Sequence, residues 1–211
     1  MEDKKDFLFR FISIEKRRQL KLDDEAFYSV TDQYTADRIS KDILRVIPDL
    51  QIITDATACI GGNTYSFSKY FHKVNAIEVD FLRYQYLQHN IKVLETSNVD
   101  IYLSDLLIAC HRLYQDLIFI DPPWGGPEYK SKEVVDLFIS EVELSEVCEH
   151  IKDTSKYIAL KVPTNFNEKQ FVEKTHSFMK LIYKNTELRK MHLLIFQLLD
   201  EHSPYNSVSL S

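Results

Sequence analysis

The chain predicts an α/β fold: a mostly parallel seven-stranded sheet with an antiparallel edge strand and helices on both faces. Three observations carry that expectation. Short β-branched apolar runs alternate with longer amphipathic ones, the pattern of strands joined by crossover helices. The short runs are rich in β-branched residues and mostly end in polar ones, as buried strands do. The last two runs follow one another without a long helix between them, which suits an antiparallel pair at a sheet edge.

Taken in order, the strand candidates are Gln51–Asp55, Val74–Glu78, Val99–Leu103, Leu117–Ile120 and Tyr157–Leu160, mostly ending in polar residues. Helical stretches fall near residues 32–47, 63–72, 81–94, 132–151 and 167–176. Within 81–94, Leu82, Tyr86, Leu87, Ile91 and Leu94 recur at helical spacing. The runs Met179–Tyr183 and Leu193–Leu199 form the late pair. A short extension (residues 1–30) is expected to precede a main domain (31–202), with a flexible tail over 203–211.

Bulk properties narrow the class. At 211 residues the chain suits one well-buried domain. With 26 basic against 32 acidic residues its net charge is −6, so any contact with nucleic acid should be local, to an end or a single base, rather than along many phosphates. The first 21 residues run the other way, with seven basic side chains, Lys16, Arg17 and Arg18 among them, against four acidic ones. Three widely spaced cysteines, Cys59, Cys110 and Cys148, lack paired metal spacing and argue for reduced thiols. No run reaches membrane-spanning or signal length, so a soluble protein of the cytoplasm or nucleus is expected, with no structural metal.

In a parallel α/β sheet, ligands bind beyond the carboxyl ends of the strands. After the first candidate strand comes Asp55-Ala56-Thr57-Ala58-Cys59-Ile60-Gly61-Gly62-Asn63, a carboxylate followed by a glycine pair before a helix. Such a loop lets a cofactor lie against bare backbone. Glu78 follows the second strand, roughly twenty residues on, where an acid can take the hydroxyls of a ribose. Ser104-Asp105 follows the third, placed to accept from an adenine amino group. The spaced glycine pattern of a nicotinamide site is absent.

After the fourth strand comes Asp121-Pro122-Pro123-Trp124-Gly125-Gly126-Pro127-Glu128-Tyr129. The prolines fix the backbone and leave carbonyls without competing donors. Trp124, the sole tryptophan, sits at a turn over the expected cleft, where an indole face is the best side-chain partner for a flat cation.

Asp121-Pro122-Pro123-Trp124 resembles the motif of methyltransferases that act on exocyclic amines. With its Gly-Gly-Pro-Glu-Tyr continuation it resembles the trimethylguanosine synthase family, the cap-specific guanine amine methyltransferases. The loop from Asp55 to Asn63 is similar to that family's first cofactor loop. Lys21-Leu22-Asp23 with Tyr28-Ser29-Val30-Thr31 looks like the segment that closes over the cofactor. Cys59-Ile60 stands where the resemblance implies a different pair of small residues.

The resemblance implies a Rossmann-like class I methyltransferase using S-adenosylmethionine on the 7-methylguanosine of an RNA 5′ cap. Asp55, Glu78 and Asp105 would hold the methionine, ribose and adenine parts of the cofactor. Thr31 would lie near its carboxylate, along a wall completed by Thr57, Gly61, Gly62, Asn63 and Asp121. Asp121 and the Pro122 carbonyl would face the target amine, and Trp124 would stack on the methylated base. Lys16, Arg17, Arg18 and Lys21 would meet the cap triphosphate, with Lys161, expected at the fifth strand end, as a further phosphate partner. Two alternatives stay open on these residues: the same chemistry on a ribosomal RNA or DNA base, and a cap-binding protein of this fold without catalysis.

Overall fold

The computed structural model describes residues 2–199, so the tail expected over 203–211 lies outside the described residues. Three short helices open the chain: α1 (Glu2–Leu8), α2 (Ile14–Gln19) and α3 (Ala26–Ser29). Helix α4 (Gln33–Val46) follows, capped by Asp32, whose side chain accepts from the Thr35 amide. Strand and helix then alternate: β1 (Ile52–Asp55), α5 (Gly62–Tyr70), β2 (Lys73–Glu78), α6 (Phe81–Val93), β3 (Val99–Leu103), α7 (Leu106–Ala109) and β4 (Leu117–Ile120). A small hairpin, β5 (Phe138–Ile139) and β6 (Val142–Glu143), leads into α8 (Leu144–Ile151). The chain closes with β7 (Tyr157–Pro163), α9 (Glu168–Thr175), β8 (Met179–Asn185) and β9 (Met191–Leu198).

The main sheet has seven strands in the order β3-β2-β1-β4-β7-β9-β8. All pairings are parallel except those of β9, which runs antiparallel to both β7 and β8. The expected antiparallel pair thus stands at the edge, with the reversed strand inserted one place in.

The β4 run is apolar throughout because its successive residues face different layers. In β4, Ile118 and Ile120 enter one core with α8 and α9, while Leu117 and Phe119 enter another with α4 and α5. A third apolar cluster joins the N-terminal helices, through Leu8, Phe9, Ile12, Leu20 and Val30, to Ile60 of the first loop.

The long helix expected over 132–151 is not formed; only 144–151 is α-helical. Before it, Ser140 (φ 49°) and Glu141 (φ 71°) both adopt left-handed backbone and join β5 to β6 as a tight hairpin. Such turns usually announce themselves with Asn or Gly, and this one carries neither. Strand β7 also runs further than Leu160. Its pairing with β9 continues to Pro163 opposite Met191, so Lys161 lies within the strand and not at its end.

Candidate active site

Sheet register assembles the centre of the site. The pairing Ile120↔Leu160 puts the next residues, Asp121 and Lys161, side by side, and Asp55↔Phe119 carries Thr57 toward Asp121 two positions later. The contacts follow: the Asp121 amide donates to Thr57 Oγ1 at 2.8 Å, and Lys161 Nζ donates to Asp121 Oδ2 at 2.5 Å. Lys161 Nζ also donates to Thr31 Oγ1 at 2.9 Å, and the Thr31 hydroxyl lies 3.5 Å from the same Asp121 oxygen. Burial pushes the Asp121 carboxyl above its ordinary range, and the Lys161 ammonium and the Thr31 and Asn63 side chains pull it back.

Lys161 was expected to face phosphates. Its side chain is instead only 4% exposed and its ammonium points inward, because residue 161 lies within a doubly covered strand. That ammonium is also 5.2 Å from the Trp124 ring centroid. Trp124 is half-buried and meets the Tyr129 ring edge-on at 5.2 Å, with its Nε1 buried and unpartnered. Gly125 (φ 83°) and Gly126 (φ 71°) make the turn beyond it; a Cβ on either would meet nothing within 4 Å, so their need is conformational and not one of space. Pro122 is buried beside Asp121.

The first loop turns twice through left-handed backbone, at Cys59 (φ 50°) and Gly61 (φ 98°). The Cys59 amide thereby donates to Glu78 Oε2 at 2.8 Å, while the Asp80 amide donates to Oε1 at 2.7 Å. Glu78 is buried, which raises its pKa, and each oxygen keeps a lone pair beyond its amide bond. Asp105 accepts from the Leu107 amide at 2.8 Å and caps α7. Gly62 was expected to clear space for a cofactor. A Cβ there would lie 2.6 Å from Val30 Cγ2, so the residue is small to let the N-terminal segment close down.

The residues present fit S-adenosylmethionine. Asp55 is fully buried, with Oδ2 taken by the Thr64 hydroxyl at 2.6 Å and Oδ1 without a partner. Burial pushes its pKa up to about 7. A buried carboxylate oxygen left empty is costly, and a ligand ammonium would satisfy it. Asn63 Oδ1, also buried and unpartnered, opens the next helix. Among the described residues no group of three or more His, Cys, Asp or Glu is placed to hold a metal ion, and no helix is long and apolar enough to cross a membrane.

Lys16, Arg17 and Arg18 are not brought to these strand ends. Lys16 pairs with Glu95 at 2.7 Å, just beyond the far end of α6. That helix runs 13 residues away from the Glu78 end, or about 20 Å. Arg17 is tied to Asp6 at 2.6 Å and to the Ile12 carbonyl at 2.9 Å, and Arg18 is exposed on the same short helix. Local charge counting saw a basic arm but not that Asp6 within it and the distant Glu95 would pair with its cations. Sequence reasoning gave no role to Tyr129, the edge-on neighbour of Trp124; its signal was its place five residues on, in the same motif.

Known proteins bear on this arrangement in three ways. The family described as RNA cap guanine-N2 methyltransferase matches residues 50–197. The chain is 32% identical over 157 residues to the trimethylguanosine synthase of Schizosaccharomyces pombe, covering 71% of this chain and 65% of that protein. It is 37% identical over 149 residues to an uncharacterized protein of Acanthamoeba polyphaga mimivirus, covering 68% and 57%. The matched part therefore spans less than two thirds of the length of these relatives. Among solved structures, a precorrin-6y C5,15-methyltransferase from Geobacter metallireducens superposes with a TM-score of 0.58 at 14% identity, covering 85% of this chain and 93% of that one. An rRNA methylase from Streptococcus thermophilus gives 0.51 at 17% identity, covering 79% and 95%. Those two likenesses speak for the Rossmann-like methyltransferase fold alone. The family match runs through both glycine loops and the tryptophan turn, and on it the chain belongs to the RNA cap guanine-N2 methyltransferase family.

Proposed function

We propose that this protein transfers methyl from S-adenosylmethionine to the exocyclic N2 amine of 7-methylguanosine at an RNA 5′ cap. The observation that carries the reading is the placement of one carboxylate and one indole around a single buried ammonium: Asp121 at 2.5 Å and Trp124 at 5.2 Å from Lys161 Nζ. S-adenosylmethionine, when bound, supplies a methyl group already activated by a sulfonium charge.

The remaining work falls to the chain's own residues. Asp55 takes the cofactor's ammonium, Glu78 its ribose and Asp105 its adenine, with Thr31 near the carboxylate. A guanine amine is a poor nucleophile because its lone pair is delocalised into the ring. Its two protons donate to Asp121 and to the Pro122 carbonyl, which favours a pyramidal nitrogen with its lone pair aimed. Alignment therefore supplies most of the rate, with little acid–base work. Asp121 holds the amine without deprotonating it before transfer, and once nitrogen is cationic its proton passes to solvent water. Trp124 stacks on the base, and a base methylated at ring position 7 carries the charge that an indole face prefers. On this reading the protein works inside the cell, in cytoplasm or nucleus.

The test is transfer from labelled S-adenosylmethionine to a 7-methylguanosine cap analogue, beside unmethylated GTP and uncapped RNA. Labelling of the methylated analogue alone is expected. Equal labelling of methylated and unmethylated analogues would remove the stacking argument.

A further inference from the structure

We propose that Lys161 is the positioning residue of this site: it locks Asp121 through Oδ2 so that Oδ1 is the oxygen offered to the substrate amine, and it braces the Trp124 indole with the same ammonium. The meaning of this arrangement rests on the cap-amine reading above, but its geometry does not.

Four observations carry it. The β4–β7 register places residues 121 and 161 next to one another, so the pairing is built into the sheet and owes nothing to a flexible arm. Both side chains are withdrawn from water, at 4% exposure for Lys161 and 12% for Asp121. A buried ion pair persists only with good geometry and with its other bonding directions satisfied. Thr31 satisfies one of them at 2.9 Å. The Trp124 ring, 5.2 Å away, takes another. The ammonium thus touches the carboxylate that would hold the amine, the ring that would hold the base, and the hydroxyl expected near the cofactor. A lysine serving cap phosphates would extend its ammonium into water, as lysines at a protein surface do.

The surroundings say what the ammonium is needed for. Facing Asp121 are Asp55 from β1, Asn63 from α5, Thr31 from the segment before α4 and Lys161 from β7. Of these only Lys161 is cationic. Asp55 is a like charge whose own carboxyl is raised in part by Asp121, while burial raises Asp121 itself. Without Lys161, Asp121 takes up a proton at higher pH and no longer presents a full carboxylate to the amine.

The experiment uses the full chain with Lys161→Met, Lys161→Gln and Asp121→Asn. Trp124 is the only tryptophan, so its fluorescence against pH reads this site without any turnover. The parent protein is expected to show a step that D121N lacks. In K161M that step should rise by about one to three pH units. K161Q keeps a hydrogen-bonding partner for Asp121 and should shift the same way, which covers a failure of K161M to fold. With a cap analogue, the acid limb of the pH–rate profile should move by the same amount as the fluorescence step. An Asp121-dependent step at the same pH in parent and variants, or in neither, overturns the proposal. So does a loss of kcat/KM for triphosphate-bearing caps that spares 7-methylguanosine monophosphate, since that marks a phosphate contact. If the parent protein methylates no cap analogue, the cap reading falls, and the fluorescence titration still decides the role of Lys161.

Discussion

Gly62 faces the Thr31 backbone so closely that a Cβ on it would lie 2.9 Å from the Thr31 carbonyl oxygen. The second glycine of the first loop therefore serves the N-terminal segment. Gly62→Ala is expected to lower stability by about 1–3 kcal/mol through overpacking. It should also weaken binding of S-adenosylhomocysteine, because Thr31 is displaced. Calorimetric binding and a thermal melt check both parts, and an unchanged melt would mean that the segment yields without strain.

Asp55 leads to a proton-linkage prediction. Its pKa stands near 7 in the folded protein, above the ordinary carboxylate value of 3.8. The folded chain thus binds more protons than the unfolded one between these values, and this group's contribution to stability falls as pH rises through that window. A cofactor ammonium held at Asp55, as proposed, would reverse the preference and expel the proton. Binding of S-adenosylhomocysteine should release up to one proton near pH 6.5 and tighten toward pH 8. Calorimetry in buffers of different ionisation enthalpy measures the release directly, and a buffer-independent heat would leave Asp55 ionised throughout.

Cys59 holds left-handed backbone at φ 50° without being glycine. That conformation costs an L residue about 1–2 kcal/mol. Cys59→Gly is expected to raise stability by up to about 1 kcal/mol, part of the relief being lost to glycine's greater freedom in the unfolded chain. Cys59→Val should be destabilising, as β-branched residues tolerate the region worst. Urea unfolding of the pair gives the sign.

Trp124→Ala should raise KM for a 7-methylated cap analogue by about tenfold or more, on the scale of base–aromatic stacking. Cofactor affinity should change little, since Asp55, Glu78 and Asp105 lie on other strand ends. Loss of cofactor binding would assign the ring a structural role, in keeping with its edge-on packing against Tyr129.

Lys16→Ala and Arg18→Ala should leave KM for capped substrates within about twofold. Surface ion pairs such as Lys16–Glu95 contribute at most about 1 kcal/mol, and this one lies beyond the far end of α6. Steady-state kinetics with triphosphate-bearing caps decides it.

Much of this architecture was legible because its signals are local. The apolar runs of β1 to β4, the glycine pair and the Asp-Pro-Pro-Trp turn each state their own position. Asp55, Glu78 and Asp105 fall at strand ends, as a parallel sheet requires. What escaped depends on partners distant in the chain. The true length of β7 is set by β9, and with it the inward direction of Lys161. The hairpin at Ser140-Glu141 uses residues that do not advertise left-handed backbone. The basic arm reads as a phosphate clamp until Asp6 and Glu95 are brought beside it.

The Asn90 side chain bonds three backbone groups on two separate segments. Its Oδ1 accepts from the Lys21 amide at 2.7 Å, and its Nδ2 donates to the Lys21 carbonyl at 2.9 Å and to the Ile60 carbonyl at 3.1 Å. One amide on α6 thus fastens the N-terminal extension and the first loop together. Backbone held this way opens as a single cooperative unit rather than residue by residue. In hydrogen exchange, the amides around residues 20–30 and 58–62 should share one protection factor and gain protection together when the cofactor binds. Entry of one ligand would then set how tightly the other's doorway is shut.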